Sequence, residues 1–309
     1  MRWSVVISAP KGDAGTQWGD TWFATDLVDA LQRAGEDARV VFRGGATVEA
    51  REYDDVVLVL RGLRRFVPRR GAATWMLWVI SHPELVETDE PSQYDAVFAA
   101  SQHWHRGQSD EFGVPVTPLL QATNPLRFNP EAAEPDSGEP ILFVGSTRGE
   151  FRPAVRDALA AGIDVSVYGV GWDQYLPPER IRGQFIANDE LPAAYASAGV
   201  VLNDHWADMA AEGFLSNRLF DAAASGARVV SDEIDADLGL FGGAVQVYRD
   251  VAELAALCSP EGRSRFPDDA ARREVATTIA RNHSFDARAR QLLDAAMRVR
   301  AEQGWSAHA

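Results

Sequence analysis

The stretch VVLNDHWADMAAEGFLSNRLFDAAASGARVVSD, residues 200–232, decides the fold of this chain. An apolar run at 200–202 predicts a short buried strand, and residues 228–231 predict a second one. Between them the sequence predicts a polar loop, a helix beginning near Ser216 and a turn at Gly226, because glycine readily ends a helix. A strand, loop, helix and strand recur at residues 2–42, and this order indicates βαβ units and a parallel sheet.

The predicted helix has two different sides, since successive residues are about 100° apart. An apolar side suited to packing on a sheet is formed by Leu219, Phe220, Ala223 and Ala224. A polar side is formed by Asn217, Arg218, Asp221 and Ser225.

Two interpretations fit this polar side. The start of a helix favours a bound anion, an Arg fork matches phosphate oxygens, and a carboxylate accepts bonds from ribose hydroxyls. Alternatively, the side is solvated and Arg218 pairs locally with Asp221. Spacing alone does not distinguish the two interpretations.

The same stretch resembles the donor-binding segment of GT-B glycosyltransferases. It is similar to the retaining family-4-like enzymes and to the spore-maturation-protein-like (CgeB-like) group, through the run EGF at 212–214, Asp221 and the run SG at 225–226. The resemblance implies that Asp221 binds the ribose and that Glu212 contacts the donor sugar. Eight residues separate these two acids instead of the usual seven, so Glu212 matches less closely than Asp221.

Composition excludes several classes of protein. The net charge of −15 argues against nucleic acid or an anionic membrane surface as the main partner. No run approaches the roughly 20 apolar residues of a membrane span, and the N-terminus reads as a strand rather than a signal peptide. A single cysteine, Cys258, excludes internal disulfides and favours a cytoplasmic protein.

The strongest linker signal is NPEAAEPDSGEP at 129–140, which is rich in Pro and acids. The strand–helix rhythm restarts directly after it. We therefore predict an N-terminal acceptor-side domain (1–129), a C-terminal donor domain (139–282) and a C-terminal helix (283–305) that crosses back to the first domain. The predicted fold class is α/β, of GT-B type: two Rossmann-like domains whose parallel sheets face a central cleft.

In the first domain, ligands of an open α/β sheet are expected beyond the carboxyl ends of the strands. Asp20 lies in the first such loop, where it either approaches a ligand or caps the next helix. His82 follows a predicted strand; the resemblance implies contact with a donor or acceptor sugar, whereas the general expectation is a structural histidine. The basic run RGLRRFVPRR at 61–70 either holds an anionic acceptor or, as we favour, solvates a surface loop.

In the second domain, a glycine-containing loop at 145–152 precedes a helix, and its arginines either contact the donor diphosphate or lie exposed in a turn. The loop at 186–191 is expected against the nucleobase. The resemblance thus assigns donor binding to Gly145, Arg148, Arg152, Asn188, Ser216, Asn217 and Asp221. It assigns catalysis to His82, Arg218, Glu212 and Asp20.

The resemblance implies a glycosyltransferase of hexosyl type (EC 2.4), retaining, with no metal ion and no cofactor. Its donor would be a nucleotide-diphosphate sugar, UDP- or GDP-linked, and its acceptor an unidentified small molecule, glycan or protein. An inverting enzyme would need a general base, for which Asp20 and His82 are the candidates. Alternatives are a nucleotide-sugar epimerase or a non-catalytic nucleotide-binding scaffold. A Rossmann oxidoreductase is disfavoured because the chain contains no G-x-G-x-x-G.

Overall fold

The computed structural model describes residues 1–43, 54–69, 71–134 and 137–304. They form two compact units. Unit 1 comprises the described residues of Met1–Gln121, Trp206–Leu215 and Phe285–Ala309, and unit 2 those of Ala122–His205 and Ser216–Ser284.

Unit 1 contains one six-stranded parallel sheet. Its strands are β1 (Arg2–Pro10), β2 (Asp37–Arg43), β3 (Val56–Arg61), β4 (Thr74–Val79), β5 (Ala96–Ala99) and β6 (Val116–Pro118). Its α-helices within the described residues are α1 (Asp13–Thr16), α2 (Gly19–Arg33), α3 (Trp104–Phe112), α6 (Ala207–Ala211) and α10 (Phe285–Glu302).

The sheet of unit 1 has the order β2-β1-β3-β4-β5-β6. Every residue of β3 and β4 is buried. Strands of a parallel sheet are covered on both faces, which explains why these two read as continuous apolar runs. The strand order reverses between β1 and β3, so the loops that follow these strands form the expected ligand position.

Unit 2 contains the second six-stranded parallel sheet. Its strands are β7 (Ile141–Val144), β8 (Ser166–Tyr168), β9 (Ile181–Gly183), β10 (Val200–Asn203), β11 (Val229–Ser231) and β12 (Val245–Val247). Its α-helices within the described residues are α4 (Pro153–Ala160), α5 (Leu191–Ser197), α7 (Asn217–Ala224), α8 (Val251–Cys258) and α9 (Asp269–Asn282).

The order β9-β8-β7-β10-β11-β12 is that of a doubly wound dinucleotide-binding sheet, with its reversal between β7 and β10. The prediction of two Rossmann-like parallel sheets is therefore confirmed. Helix α7 follows β10 and packs its apolar side inward, with Leu219, Phe220 and Ala223 fully buried.

The boundary between the units differs from the predicted linker. Residues 122–134 belong to unit 2 because their side chains are held there. Phe128 is buried with its ring 6.1 Å from that of Tyr195, and the Thr123 hydroxyl donates to Asp221. The described residues of the acid- and proline-rich run at 129–140 are exposed or half-buried, whereas the change from one unit to the other falls after Gln121.

A second difference concerns Trp206–Leu215, which was predicted in the donor domain and groups with unit 1. Met209 and Phe214 are buried in the core of unit 1, and the Phe214 ring lies 5.4 Å from that of Trp104. These apolar contacts explain the grouping, since burying two large side chains stabilises a fold by several kcal/mol.

The C-terminal helix α10 packs on α2 in unit 1. The Phe285 ring lies 4.8 Å from that of Phe23. The buried Arg288 guanidinium donates to the carbonyl oxygens of Leu120 and Gln121, and burial lowers the pKa of Arg288 to about 10. The helix ends at Glu302; position 305, where it was predicted to end, lies outside the described residues. None of the described helices is both long and apolar enough to span a membrane.

Candidate functional site

The Arg218 guanidinium of α7 lies at the strand-order reversal of unit 2. Its Nη2 donates to the carbonyl oxygen of Val144, the last residue of β7, at 2.7 Å. Its Nη1 donates to Asn203 Oδ1, at the end of β10, also at 2.7 Å. Both acceptors are neutral, and Arg218 makes no ion pair within the described residues. The side chain is thus fixed in place with its positive charge uncompensated by a carboxylate.

The loop after β7 lies against the Arg218 side chain. A Cβ atom on Gly145 would lie 3.1 Å from Arg218 Nη2. Gly169, in the loop after β8, faces it so closely that a Cβ there would lie 2.1 Å from the Gly145 carbonyl oxygen. The predicted Gly145 loop therefore lies beside the guanidinium.

Arg148 lies in the same loop with a left-handed backbone (φ 58) and an exposed side chain. Its guanidinium is nevertheless partly desolvated by its surroundings. This desolvation, followed by repulsion from Arg152 and Arg218, lowers the pKa of Arg148 to about 10. The group remains charged at neutral pH, and a bound anion would relieve the repulsion among the guanidiniums.

Arg152, predicted to contact the donor diphosphate, is placed differently. It is 2% exposed and forms a two-pronged ion pair with the buried Asp204, while Nη1 donates to the Ser146 carbonyl oxygen at 3.1 Å. Because Asp204 balances its charge, this geometry does not support a phosphate contact. Arg152 instead fixes the loop that carries Arg148.

The start of α7 is held by two contacts of Ser216. Its hydroxyl donates to Asn203 Oδ1 at 2.8 Å, and its backbone N–H donates to His205 Nε2 at 3.2 Å. Both donors of Ser216, a predicted diphosphate ligand, are therefore engaged. The N–H groups of Asn217 and Arg218 come next, and the first N–H groups of a helix have no acceptor within it.

Asp221, the predicted ribose ligand, is 7% exposed. Its Oδ1 accepts from Thr123 Oγ1 at 2.7 Å, and its Oδ2 accepts from Asn217 Nδ2 at 2.6 Å. The alternative local pair with Arg218 is not formed. The buried Asn217 Oδ1 has no hydrogen-bond donor within the described residues.

Asn188, predicted near the nucleobase, precedes α5. Both its side-chain and carbonyl oxygens accept from the Arg127 guanidinium. This contact fixes the loop at 186–191. It engages the side-chain oxygen of Asn188, so the amide nitrogen is the group of this side chain that could donate to a base.

His205 and Asp232 also belong to this cluster of side chains, and neither was predicted from the sequence. Nδ1 of His205 lies 2.7 Å from Asp232 Oδ1, and the His205 backbone N–H donates to Asp232 Oδ2 at 2.8 Å. Their positions in the sequence could have indicated this, because each follows a predicted strand. The two strands, β10 and β11, are neighbours in the sheet, and the carboxyl ends of parallel strands meet at one edge.

The remaining predicted site residues lie in unit 1. Asp20 is in the first turn of α2, whose N-cap is Trp18 without a side-chain bond, so Asp20 does not cap the helix. A Cβ atom on Gly62 would lie 3.7 Å from Asp20 Oδ2 and 3.2 Å from Ser81 Oγ. Asp20 therefore lies with Gly62 and Ser81 at the carboxyl edge of the sheet, where β3 and β4 end.

Glu212 ends α6, and its carbonyl oxygen accepts from the Ser101 hydroxyl at 2.7 Å. Glu212 groups with unit 1, whereas the sequence analysis placed it in the donor domain.

The first arginine of the basic run at 61–70 neither holds an anionic acceptor nor lies in a solvated loop. Arg61 is buried and pairs with Glu90 at 2.8 Å. Arg65 pairs with Glu87 and with Asp89. These pairs neutralise part of the run, and Arg70 lies outside the described residues.

His82 has a left-handed backbone (φ 54) and lies beside two carboxyls. Its Nδ1 is 3.3 Å from Glu84 Oε1 and 3.9 Å from Asp208 Oδ2. The ligand atoms of the three residues lie within 4.8 Å of one another, close enough for an ion. Desolvation and then the Asp208 carboxyl raise the pKa of Glu84 to about 7.

We expect Glu84→Gln to change how stability depends on pH. The folded pKa of about 7 exceeds the ordinary 4.5, so between these values the folded protein holds a proton that the unfolded chain releases. Stability from this group is present below pH 4.5 and is lost as pH rises through 7. The melting temperature of Glu84→Gln should therefore rise relative to wild type between pH 5 and pH 8, by about 1–3 °C since Glu84 is partly solvated.

The exposed Glu179 of unit 2 provides the control, because Glu179→Gln should shift the melting curve equally at both pH values. A constant difference in melting temperature between Glu84→Gln and wild type across this pH range would contradict the raised pKa of Glu84.

Solved structures define the class of this fold. The chain matches sucrose-phosphate synthase from Thermosynechococcus elongatus with a TM-score of 0.69 and 13% identity, over 98% of this chain and 100% of that one. It matches AviGT4, a glycosyltransferase involved in avilamycin A biosynthesis, with a TM-score of 0.63 and 18% identity, over 98% of this chain and 99% of that one. It matches Anabaena HepE, in a structure with UDP-glucose, with a TM-score of 0.65 and 9% identity, over 96% of this chain and 100% of that one. The chain thus has the GT-B fold.

Residues 148–294 match the model of a protein family described as glycosyl transferase-like. No curated protein matches the chain in sequence. The matched segment contains Arg218 and one of its two hydrogen-bond acceptors, Asn203. The other acceptor, Val144, precedes the segment.

Proposed function

We propose that this protein is a glycosyltransferase that moves a hexosyl group from a nucleotide-diphosphate sugar to an acceptor. One observation carries the proposal: the Arg218 guanidinium is held at the strand-order reversal by neutral acceptors, beside Arg148 and the start of α7. A fixed, uncompensated positive charge at this position suits a diphosphate.

The chemistry follows from the charge that develops during transfer. The bond between the anomeric carbon of the sugar and the diphosphate oxygen breaks, and that carbon bonds to the acceptor oxygen. Negative charge increases on the leaving diphosphate, which takes the proton released by the acceptor hydroxyl. The Arg218 fork, Arg148 and the backbone N–H groups of Asn217 and Arg218 would stabilise this charge electrostatically. We infer that the leaving group needs no metal ion and that the enzyme needs no other cofactor.

The nucleoside would be bound next to this anion site. Asn217 Oδ1 would accept from a ribose hydroxyl, and Asp221, which the resemblance assigns to the ribose, bonds the amide of the same Asn217. The loop at 186–191, held through Asn188, would face the base. Among proteins with this fold, HepE has a structure in complex with UDP-glucose, and starch synthase IV of Arabidopsis thaliana has one bound to ADP and acarbose. We propose a UDP- or GDP-linked donor.

Transfer with retention is proposed from the resemblance to the family-4-like and spore-maturation-protein-like enzymes. On this proposal His82, Glu212 and Asp20 contact the sugar or the acceptor. Inversion would require one of them to act as a base, and Asp20 and His82 are the candidates.

The test begins with thermal shifts in UDP, GDP, ADP, CMP and dTDP. A ligand at a hundredfold its dissociation constant should add about 2.7 kcal/mol to the free energy of unfolding. The matching sugar nucleotide is then incubated with and without a panel of acceptors, and the anomeric configuration of the product is determined.

A glycoside formed only with acceptor supports the proposal. A changed sugar from the donor alone would indicate an epimerase, and binding without any reaction a scaffold. A chain that binds none of the nucleotides would contradict all three.

A further inference from the structure

The side chain of His205 connects two strands of unit 2 to the start of α7. It is 6% exposed, and both ring nitrogens have partners. Nδ1 lies 2.7 Å from Asp232 Oδ1, and Nε2 lies 3.2 Å from the backbone nitrogen of Ser216. The proposed reaction assigns no chemical step to this histidine.

The partners of His205 fix where its proton lies. A backbone N–H can only donate, so Nε2 must accept from Ser216 and carries no proton. Nδ1 then carries the proton and donates to Asp232. The ring is therefore held in one tautomer and one orientation by contacts on both sides.

Asp232 also reaches the start of α7 by a second route. Ser231 Oγ donates to Asp232 Oδ1 at 3.0 Å, and Asn203 Nδ2 donates to Ser231 Oγ at 2.9 Å. Asn203 Oδ1 then accepts from both Ser216 Oγ and Arg218 Nη1. One carboxylate thus orients the helix start through His205 and the guanidinium through Asn203.

We propose that His205 and Asp232 form a positioning pair that sets the affinity of the site for a nucleoside diphosphate. The inference rests on the proposed function. By accepting the Ser216 N–H, His205 holds the first turn of α7 in place, so that the N–H groups of Asn217 and Arg218 are presented to the diphosphate. Without this acceptor the Ser216 N–H is unsatisfied, and the turn can rotate away from the anion.

Two substitutions separate the two contacts of the ring. The amide nitrogen of Asn can replace Nδ1, so His205→Asn keeps the bond to Asp232 but loses the acceptor for Ser216. The amide oxygen of Gln can replace Nε2, so His205→Gln keeps the acceptor for Ser216 and loses the bond to Asp232. A purely structural role would not distinguish the two variants by ligand affinity.

The measurement is calorimetric titration of each protein with UDP, GDP and ADP, which share the diphosphate. We expect His205→Asn to weaken binding of the preferred nucleotide by about tenfold, and His205→Gln by less than about threefold. Asp232→Ala, which removes both routes, should weaken it at least as much as His205→Asn.

A control separates affinity from stability. Asp250 caps α8 by accepting from the Glu253 N–H at 2.8 Å. Asp250→Ala should lower the melting temperature by about 2–4 °C and leave the dissociation constant unchanged.

The outcomes are distinct. Wild-type protein that binds none of the three nucleotides contradicts the proposed function and the inference together. Wild-type binding that His205→Asn retains in full, or that His205→Gln and His205→Asn lose equally, overturns the positioning role alone.

Discussion

We expect Arg218→Ala to reduce the rate of sugar transfer by about 10²–10³-fold while the protein remains folded. The guanidinium is the charge that the structure holds at the strand-order reversal without a carboxylate partner among the described residues. Its removal deprives the leaving diphosphate of a fixed donor, which typically costs about 3–4 kcal/mol of transition-state stabilisation. Asn203 Oδ1 keeps its bond from Ser216, so of the two acceptors of Arg218 only the Val144 carbonyl oxygen loses this donor. Initial rates at saturating donor, with a melting curve, measure both effects.

Two further variants define the result. Arg218→Lys keeps the charge but cannot bond Val144 and Asn203 as a fork, so it should recover only part of the activity. Arg156→Ala removes an exposed arginine of the same unit and should leave the rate unchanged. Transfer by Arg218→Ala at more than about a tenth of the wild-type rate would remove this guanidinium from the mechanism.

Much of the fold was predictable because its determinants are local in sequence. The apolar runs of β3 and β4 indicate strands buried on both faces, and the two-sided pattern around Arg218 places α7 within one residue of its observed start. Strand–helix alternation then dictates parallel sheets. These signals require no knowledge of which distant residues meet.

The site was predicted less completely because its contacts join residues far apart in the chain. Arg152 reads as an exposed loop arginine until Asp204, 52 positions later, is placed against it. Phe214 reads as part of the donor segment, yet its ring packs against Trp104 in unit 1. Neither pairing has a local pattern, so the sequence could not indicate that Arg152 meets Asp204 or that the segment around Glu212 groups with unit 1.

The revised role of Arg152 makes a strong prediction about stability. We expect Asp204→Ala to lower the free energy of unfolding of unit 2 by about 3–5 kcal/mol, because it leaves a buried guanidinium without its counter-charge. Arg152 and Asp204 are each 2% exposed, so water cannot replace the lost partner. A loss of this size is a large fraction of the stability of an ordinary domain, about 5–15 kcal/mol. Urea unfolding followed by tryptophan fluorescence measures it.

A comparison with a solvated ion pair decides whether burial causes the loss of stability expected in Asp204→Ala. Asp164 is 89% exposed and pairs with Arg180 at 3.5 Å, so Asp164→Ala should cost less than about 1 kcal/mol. The double variant Arg152→Met with Asp204→Leu removes both charges together and should recover most of the stability lost in Asp204→Ala. If Asp204→Ala is no more destabilising than Asp164→Ala, the Arg152 charge is not confined to the interior, and its predicted contact with the diphosphate would again be the better assignment.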